Sequence, residues 1–198
     1  MTMTSASTTG RTPLDHDTVV DAAAKLADIH GLNEVTLTSV AKQLGVRQPA
    51  LYRHVESYQD LIRSLSLRGR KLLADSMAAA AIGIAGDDAV AAVGHAWRRV
   101  ASERPGLYAA TDRYPCADDD ELQAAVNRIV EVIAMSLAGF DLDPENRVHA
   151  ARTLRSAFHG FAHIELCDGH PHKLETDDSF DHMLELLCAG IRHQQRVS

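Results

Sequence analysis

Hydrophobic residues recur every three or four positions along almost the whole chain, which is the spacing of amphipathic α-helices. The first such segment covers about residues 15–30 and ends at the pair His30-Gly31. Its hydrophobic positions are Val19, Ala22, Ala23, Leu26 and Ile29. No region alternates hydrophobic and polar residues as a half-buried strand does, and no internal repeat is visible. The pattern therefore predicts an all-α fold.

The segment TLTSVAKQLGVRQPALYRHV has the features of a helix-turn-helix. A second helix is expected to open at Thr36 or Thr38, either of which can cap exposed N–H groups. Gly45 permits the left-handed turn that ends this helix, and Val46 and Leu51 would fill the angle between the two helices. Ordinary helical proteins also show this spacing, so it favours DNA binding without specifying it.

Helices are predicted over most of the remaining chain as well. The predicted ranges are about 48–54, a long helix from Ser57 towards Ala80, Gly86 to Glu103, a short helix containing Leu107 and Tyr108, Asp118 to Leu137, Asp143 to Leu166, and 178–195. Residues 1–13 are mostly small and polar, which predicts a disordered arm. We therefore expect a three-helix head at 14–57 and a second helical domain at 58–198.

Charge is unevenly divided along the chain, whose net charge is -7. Residues 1–71 carry nine Lys and Arg against seven Asp and Glu, a net charge of +2. The other 127 residues carry eleven against twenty, a net charge of -9. A basic head on an acidic body would present only the head to DNA phosphates, because the body would be repelled.

Composition argues against several other classes of protein. A hydrophobic fraction of 45% is enough for a buried core, so a disordered chain is not expected. No stretch approaches the ~20 apolar residues of a membrane-spanning helix, so we expect a cytoplasmic protein without a membrane partner. The three cysteines lack C-x-x-C spacing, which argues against a zinc ribbon or a disulfide framework.

The run LGVRQPALYRHVES, with a T-x-T segment upstream, resembles the DNA-binding head of the TetR family of transcriptional regulators. The resemblance covers about residues 14–65. It implies a homodimer whose heads bind double-stranded DNA at a palindromic operator. The residues that would contact DNA are Thr36, Thr38, Lys42, Arg47, Gln48, Pro49, Ala50, Tyr52, Arg53 and His54.

The chemistry of these side chains agrees with that assignment. The amide of Gln48 can form two hydrogen bonds to adenine, and Pro49 and Ala50 offer apolar contact to a thymine methyl group. Arg47 can reach guanine or a phosphate. The assignment therefore separates base-reading residues in the third helix from residues that anchor the DNA backbone.

The resemblance departs from the family's namesake at two positions. Where the namesake has an arginine that reads a base from the second helix, this chain has Thr38. Where a lysine is common at the start of the fourth helix, this chain has Tyr58. The operator sequence therefore does not carry over. A simpler alternative makes Tyr52 part of the core, and Arg47 and Arg53 a solvated face.

The segments AWRRVASERPGLYAATD and SAFHGFAHIEL resemble a TetR subgroup whose ligand domain carries a Trp, a P-G-L-Y turn and an H-G pair. Its aromatic residues and imidazoles would form a mainly apolar cavity, which predicts a small apolar or aromatic effector, and no cofactor is expected. The candidate ligand-binding residues are Trp97, Tyr108, Met135, Phe158, His159, Phe161 and His163. His159 and His163 lie four apart on one helical face, and they could bind a ligand, bind a metal or simply pack. No further metal ligands are evident nearby, so we expect no metal site.

Hydrophobic stripes on the last two long helices suit a two-fold four-helix dimer interface. The candidate interface residues are Phe158, Phe180, Leu184, Leu187 and Ile191. The alternative is that these stripes form the core of a single chain.

The sequence therefore predicts a TetR-type repressor that a small-molecule effector releases from a palindromic operator. Its fold would be a helix-turn-helix head with a helical ligand-binding and dimerisation domain. One alternative is a regulator without a small-molecule ligand. Another is a histidine-dependent hydrolase using Ser156 or Cys167, but no glycine-rich turn or oxyanion arrangement accompanies these residues, so we expect no enzyme.

Overall fold

The computed structural model describes residues 13–172 and 174–195. Its α-helices are α1 (His16–His30), α2 (Leu37–Leu44), α3 (Tyr58–Ala80), α4 (Gly86–Glu103), α5 (Pro105–Ala110), α6 (Asp120–Ser136), α7 (Pro144–Leu166) and α8 (Thr176–Gln195). Within the described ranges there is no β-strand, and the all-α prediction is confirmed. The predicted arm at 1–13 lies outside the described residues except for Pro13.

The third helix of the head, predicted at 48–54, is a 3₁₀ helix at Gln48–Arg53. Pro49 lies in its first turn and has no N–H to donate. The backbone N–H of Ala50 donates to the carbonyl of Arg47 at 2.9 Å, and that of His54 donates to Leu51 at 2.8 Å. These bonds between residues three apart are those of the tighter helix, which is common in such short segments.

Side-chain caps explain why several helices begin where they do. The caps are Asp15 for α1, Thr36 for α2, Ser57 for α3, Asp119 for α6 and Asp143 for α7. At α2 the hydroxyl of Thr36 accepts from the backbone N–H of Ser39 at 3.0 Å. The backbone N–H of Thr36 donates in return to the hydroxyl of Ser39 at 2.8 Å. Thr36 rather than Thr38 therefore starts α2, in a reciprocal capping box.

The helix-turn-helix head has a buried core that extends beyond residue 57. Leu61 and Leu65 of α3 and Leu107 and Ala110 of α5 pack into the same cluster as the buried side chains of α1 and α2. The expected division at 57 thus falls between elements that share one core. Ile29, expected on the inner stripe of α1, is instead exposed.

The second core joins α3, α4, α6, α7 and α8, and it corrects the predicted dimer residues. Phe158, Phe180, Leu184 and Ile191 are buried within this single chain, and Leu187 is partly buried against the same cluster. A side chain with almost no exposed surface cannot contact a partner subunit. The alternative reading, that these stripes form intrachain core, is the correct one for those four residues.

The stretch Asp120–Gly139, which contains α6, corrects the expectation about membrane spans. It is 20 residues long and, by length and composition alone, apolar enough to cross a membrane. Its buried side chains, including Ile129 and Ile133, lie in the second core, where α6 packs against α3 and α7. Core helices of soluble proteins commonly pass such a test, so the stretch is explained by packing.

Candidate nucleic-acid interface and cavity

The turn after α2 has the geometry that its sequence predicts. Gly45 adopts the left-handed conformation, with φ 65° and ψ 32°. The backbone N–H of Val46 donates to the carbonyl of Ala41 at 3.0 Å, which closes the end of the helix. Leu51 is fully buried beneath the turn. These contacts hold Gln48–Arg53 against α2 and leave its other face open.

A chain of side-chain hydrogen bonds crosses that open face. The hydroxyl of Thr38 donates to Oε1 of Gln48 at 2.9 Å. Nε2 of Gln48 donates to the hydroxyl of Tyr52 at 3.5 Å, the upper limit for such a bond. Tyr52 is 52% exposed, so it is not the core residue that the simpler alternative requires. Thr38, which stands where the family's namesake has an arginine, is therefore a hydrogen-bond partner of Gln48.

The basic side chains around the turn are exposed and have no carboxylate partner among the described residues. They are Lys42, Arg47 and Arg53. By contrast, three of the four basic residues of α3 are paired: Arg63 binds Asp119, Arg68 binds Asp21 and Lys71 binds Glu121. Three unpaired cations thus lie around one short helix. The remaining candidates are exposed at Thr36 and Pro49 and half-buried at Ala50 and His54.

A cavity of about 520 Å³ lies between α3, α4, α6 and α7. Leu73, Trp97, Val126 and Ile129 form its apolar wall. Its charged and polar wall consists of Arg70, Asp112, Arg152, Arg155, Ser156 and His159. Its volume is in the range of small-molecule sites, and so is its mixture of an apolar wall with a few polar groups. Trp97 and His159 are the two predicted ligand residues that line it.

Trp97, Tyr108 and His159 form a hydrogen-bonded group at one side of this cavity. The indole N–H of Trp97 donates to the hydroxyl of Tyr108 at 2.9 Å, and that hydroxyl lies 2.8 Å from Nδ1 of His159. Burial raises the pKa of Tyr108 to about 12. The contact with Tyr108 therefore occupies Nδ1 of His159.

The other predicted ligand residues lie elsewhere. Met135 is 60% exposed on the surface of α6. Phe158 is fully buried beside Trp97, and Phe161 packs edge-on against Phe180 of α8. His163 is exposed and stacks on His159, with ring centroids 6.1 Å apart. In the described part of the chain, no group of three or more potential ligands could hold a metal ion.

Arg70 is a cavity residue that the sequence did not single out. Its side chain is buried, and Nη2 donates to the carbonyls of Thr111 at 2.6 Å and Tyr114 at 3.0 Å. Its Nη1 is buried without a hydrogen-bond partner among the described residues. In sequence, a buried arginine looks like any surface arginine on a helix, so no signal was available.

Helix α5 connects the cavity to the head. The carboxylate of Asp28 in α1 accepts from the backbone N–H of Leu107 at 3.0 Å and from Nε of Arg104 at 2.6 Å. Gly106 lies so close to α1 that a Cβ there would be 2.0 Å from the backbone carbon of Ala27. The helix that carries Tyr108 is thus in direct backbone contact with the head.

Solved structures share this fold. The regulatory protein SCO4313 superposes with a TM-score of 0.72 at 24% identity, over 87% of this chain and 94% of that one. BioQ, solved with its double-stranded DNA operator, superposes with a TM-score of 0.63 at 20% identity, over 91% of this chain and 99% of that one.

Sequence comparisons give the family. The model of bacterial regulatory proteins of the tetR family matches residues 19–65, and that of the tetracyclin repressor-like C-terminal domain matches residues 90–187. An uncharacterised HTH-type transcriptional regulator of Mycobacterium tuberculosis, Rv0681, is 33% identical over 91% of this chain and 83% of its own length. YobS of Bacillus subtilis, also an uncharacterised HTH-type regulator, is 35% identical over 91% of this chain and 94% of its own length. The chain therefore belongs to the TetR family of transcriptional regulators.

Proposed function

We propose that this protein is a homodimeric repressor that binds a palindromic operator and is released by a small molecule in the cavity. The observation that carries the proposal is the face of Gln48–Arg53, where Gln48 is held by Thr38 among the unpaired cations Lys42, Arg47 and Arg53. An ordered amide is suited to reading a base, and free cations are suited to phosphates. BioQ, which shares this fold, is solved with its double-stranded DNA operator, and this supports operator binding here. Such a protein would work in the cytoplasm.

Release requires that the ligand change the position of the head. Tyr108 of α5 is hydrogen-bonded to the cavity residue His159, and Thr111, which directly follows α5, lines the cavity. They are two and five residues from Gly106, which touches α1. A ligand that prefers one position of α5 would therefore favour one position of α1, and with it one spacing of the two heads in the dimer. The shift would be limited by the ligand's difference in affinity for the two forms.

The dimer surface is proposed on the outward faces of α7 and α8. Ile164 of α7 and Leu186 of α8 are large apolar side chains with 44% and 62% of their surface exposed. Leu187 and Met183, partly buried, lie on the same helix as Leu186. Exposed apolar side chains on neighbouring helices suit an interface between two copies of a chain. These residues replace the buried ones that the sequence suggested.

Operator binding can be tested without knowing the operator, by selecting bound duplexes from a random DNA library. We expect enrichment of a palindrome whose half-sites lie about one helical turn apart. The logarithm of the binding constant should fall linearly with the logarithm of the salt concentration, because cations displace counterions from phosphates. A single half-site should bind much more weakly. Salt-independent binding, or selection without a palindrome, would contradict the proposal.

Substitution of Gln48 tests which residue reads the sequence. Gln48→Ala should relax base preference at one position per half-site, at a cost there of about 1–3 kcal/mol. Thr38→Ala should relax the same position less, because it removes only the bond that orients the amide. The measurement is a binding titration against each single-base variant of the selected site.

Two further variants distinguish residues that read bases from residues that bind the DNA backbone. Lys42→Ala should weaken all sequences equally and lower the salt dependence. Gln43→Ala removes an exposed glutamine of α2 that lies in a groove beside Lys25 of α1, and it should change neither property. If Gln48→Ala leaves every base preference unchanged, the head docks on DNA differently from this proposal.

A further inference from the structure

We propose that the cavity ligand is a carboxylate with an apolar body, and that Arg70 supplies its counter-charge. This inference rests on the proposed effector cavity and names the chemical class that the cavity selects. Three observations carry it: the unsatisfied guanidinium of Arg70, the excess of positive charge in the cavity wall, and the apolar part of that wall.

Arg70 is a buried cation without a counter-ion. It is 5% exposed and forms no ion pair with any carboxylate of the described residues. Both hydrogens of Nη2 are used by two backbone carbonyls, whereas Nη1 is buried with no partner. Burying a charge is costly unless it is paired and hydrogen-bonded, so an anion at this place would be stabilised.

Several other arginines that contact the body of this chain are paired with acids, whereas the half-buried Arg147 has no ion pair among the described residues. Arg63 binds Asp119, Arg98 binds Glu165, and Arg104 binds Asp28. The hydrogen bond from Arg63 lowers the pKa of Asp119 to about 2. In a chain with a net charge of -7, acids are plentiful, yet none of the described ones pairs with Arg70.

The cavity wall carries two further guanidiniums and one carboxylate. Arg152 and Arg155 of α7 line the cavity, are exposed, and have no ion pair within the described ranges. The carboxylate is Asp112, whose Oδ2 lies 3.6 Å from Nε2 of His159. The cavity wall therefore contains three guanidiniums and one carboxylate. This excess of positive charge attracts an anion from solvent.

The apolar part of the cavity wall selects against a small inorganic anion. Leu73, Trp97, Val126 and Ile129 offer apolar surface that a hydrocarbon or aromatic group would cover. A planar carboxylate matches the guanidinium fork, and its attached carbon chain can fill the volume of about 520 Å³. Because Nη1 has little accessible surface, Arg70 would rotate towards the ligand, and this rotation would alter its bonds to the carbonyls of Thr111 and Tyr114.

The test compares carboxylates with their uncharged primary amides, which have nearly the same shape. The probes are hexanoate, decanoate and 4-phenylbutanoate, each paired with its amide, and inorganic phosphate as an anion without an apolar body. Affinity is measured by isothermal titration calorimetry on the full chain, with fluorescence of Trp97, the only tryptophan, reporting binding at the cavity. We expect at least one carboxylate to bind about tenfold or more tightly than its amide, as for hydrogen bonds to charged groups.

Variants of the arginines locate the preference. Arg70→Gln should bring each carboxylate close to its amide in affinity while leaving amide binding unchanged. Arg155→Gln, at an exposed side chain whose loss does not threaten folding, should reduce the preference in part. Arg128→Gln removes an arginine of α6 outside the cavity that pairs with Glu131, and it should have no effect.

Several outcomes would overturn the inference. They are equal binding of carboxylates and amides, failure of every carboxylate to bind, tighter binding of phosphate than of any carboxylate, or a preference that survives in both Arg70→Gln and Arg155→Gln. The operator selection described above is run on the same preparation. If the protein selects a palindrome but does not prefer carboxylates, only this inference is wrong. If it binds carboxylates but selects no DNA, the proposed repressor function is wrong.

Discussion

Substitution of Gly106 by alanine should separate α5 from the head and abolish operator binding. The added Cβ would lie 2.0 Å from the backbone carbon and 2.1 Å from the backbone oxygen of Ala27. Neither atom belongs to a flexible side chain, so one helix must move. The movement would also stretch the bonds of Asp28 to Leu107 and Arg104.

The expected loss of stability is about 3 kcal/mol, which for a chain of this length lowers the Tm by roughly 6–12 °C. The measurements are thermal unfolding by circular dichroism and titration against the selected operator. Ala109→Leu is the matched control, because it adds more volume to the exposed face of the same helix. The Tm of that variant and its affinity for the operator should equal those of the natural protein. A Gly106→Ala protein with unchanged stability and affinity would show that α5 and α1 are not in fixed contact in solution.

Leu186→Glu should split the dimer without unfolding the chain. Leu186 is 62% exposed in the single chain, so a charged side chain there meets only water in the monomer. In the proposed dimer the carboxylate would be buried without a counter-ion, at a cost of several kcal/mol. We expect the dimerisation constant to weaken by at least about 100-fold and operator affinity to fall with it. Sedimentation velocity measures the first effect and DNA titration the second.

Leu184→Glu is the contrasting variant, two residues away on the same helix. Leu184 is buried in the chain's own core, where its side chain packs close to Gly94 and Phe158. A carboxylate there should unfold the second core whatever the oligomeric state. If Leu186→Glu remained dimeric at micromolar concentration, the interface would lie on another surface. If Leu184→Glu remained folded, the assignment of that stripe to the core would be wrong.

The two variants matter because one helix carries both kinds of apolar residue. On α8, Phe180, Leu184 and Ile191 are buried, whereas Leu186 is exposed. The stripe visible in the sequence is therefore the one used for folding, since folding of the chain requires the longest regular apolar face. The proposed interface uses a second, smaller set on α8, in which Leu186 and Leu187 lie three and four residues after Met183.

The cavity shows the same difference between pattern and position. The sequence predicts Trp97 and His159 as ligand-binding residues because they are an aromatic residue and an imidazole on predicted helices, and both line the cavity. Met135 of α6 and Phe161 of α7 are predicted as ligand-binding residues for the same reason, but neither lines the cavity. Residue type suggests what can line a cavity, whereas the rotation of each helix about its axis decides what does.

The sequence by itself determined the local structure of this protein. Helix periodicity, a threonine cap at the start of α2, the left-handed Gly45 and the proline in the first turn of Gln48–Arg53 are set by interactions over a few residues. Only the tertiary structure decided that Arg70 is buried without a counter-ion, that Gly106 touches α1, and that Phe158 faces inward. The physical reason is range: caps and turns depend on near neighbours in the chain, while burial and charge pairing depend on which distant helices meet.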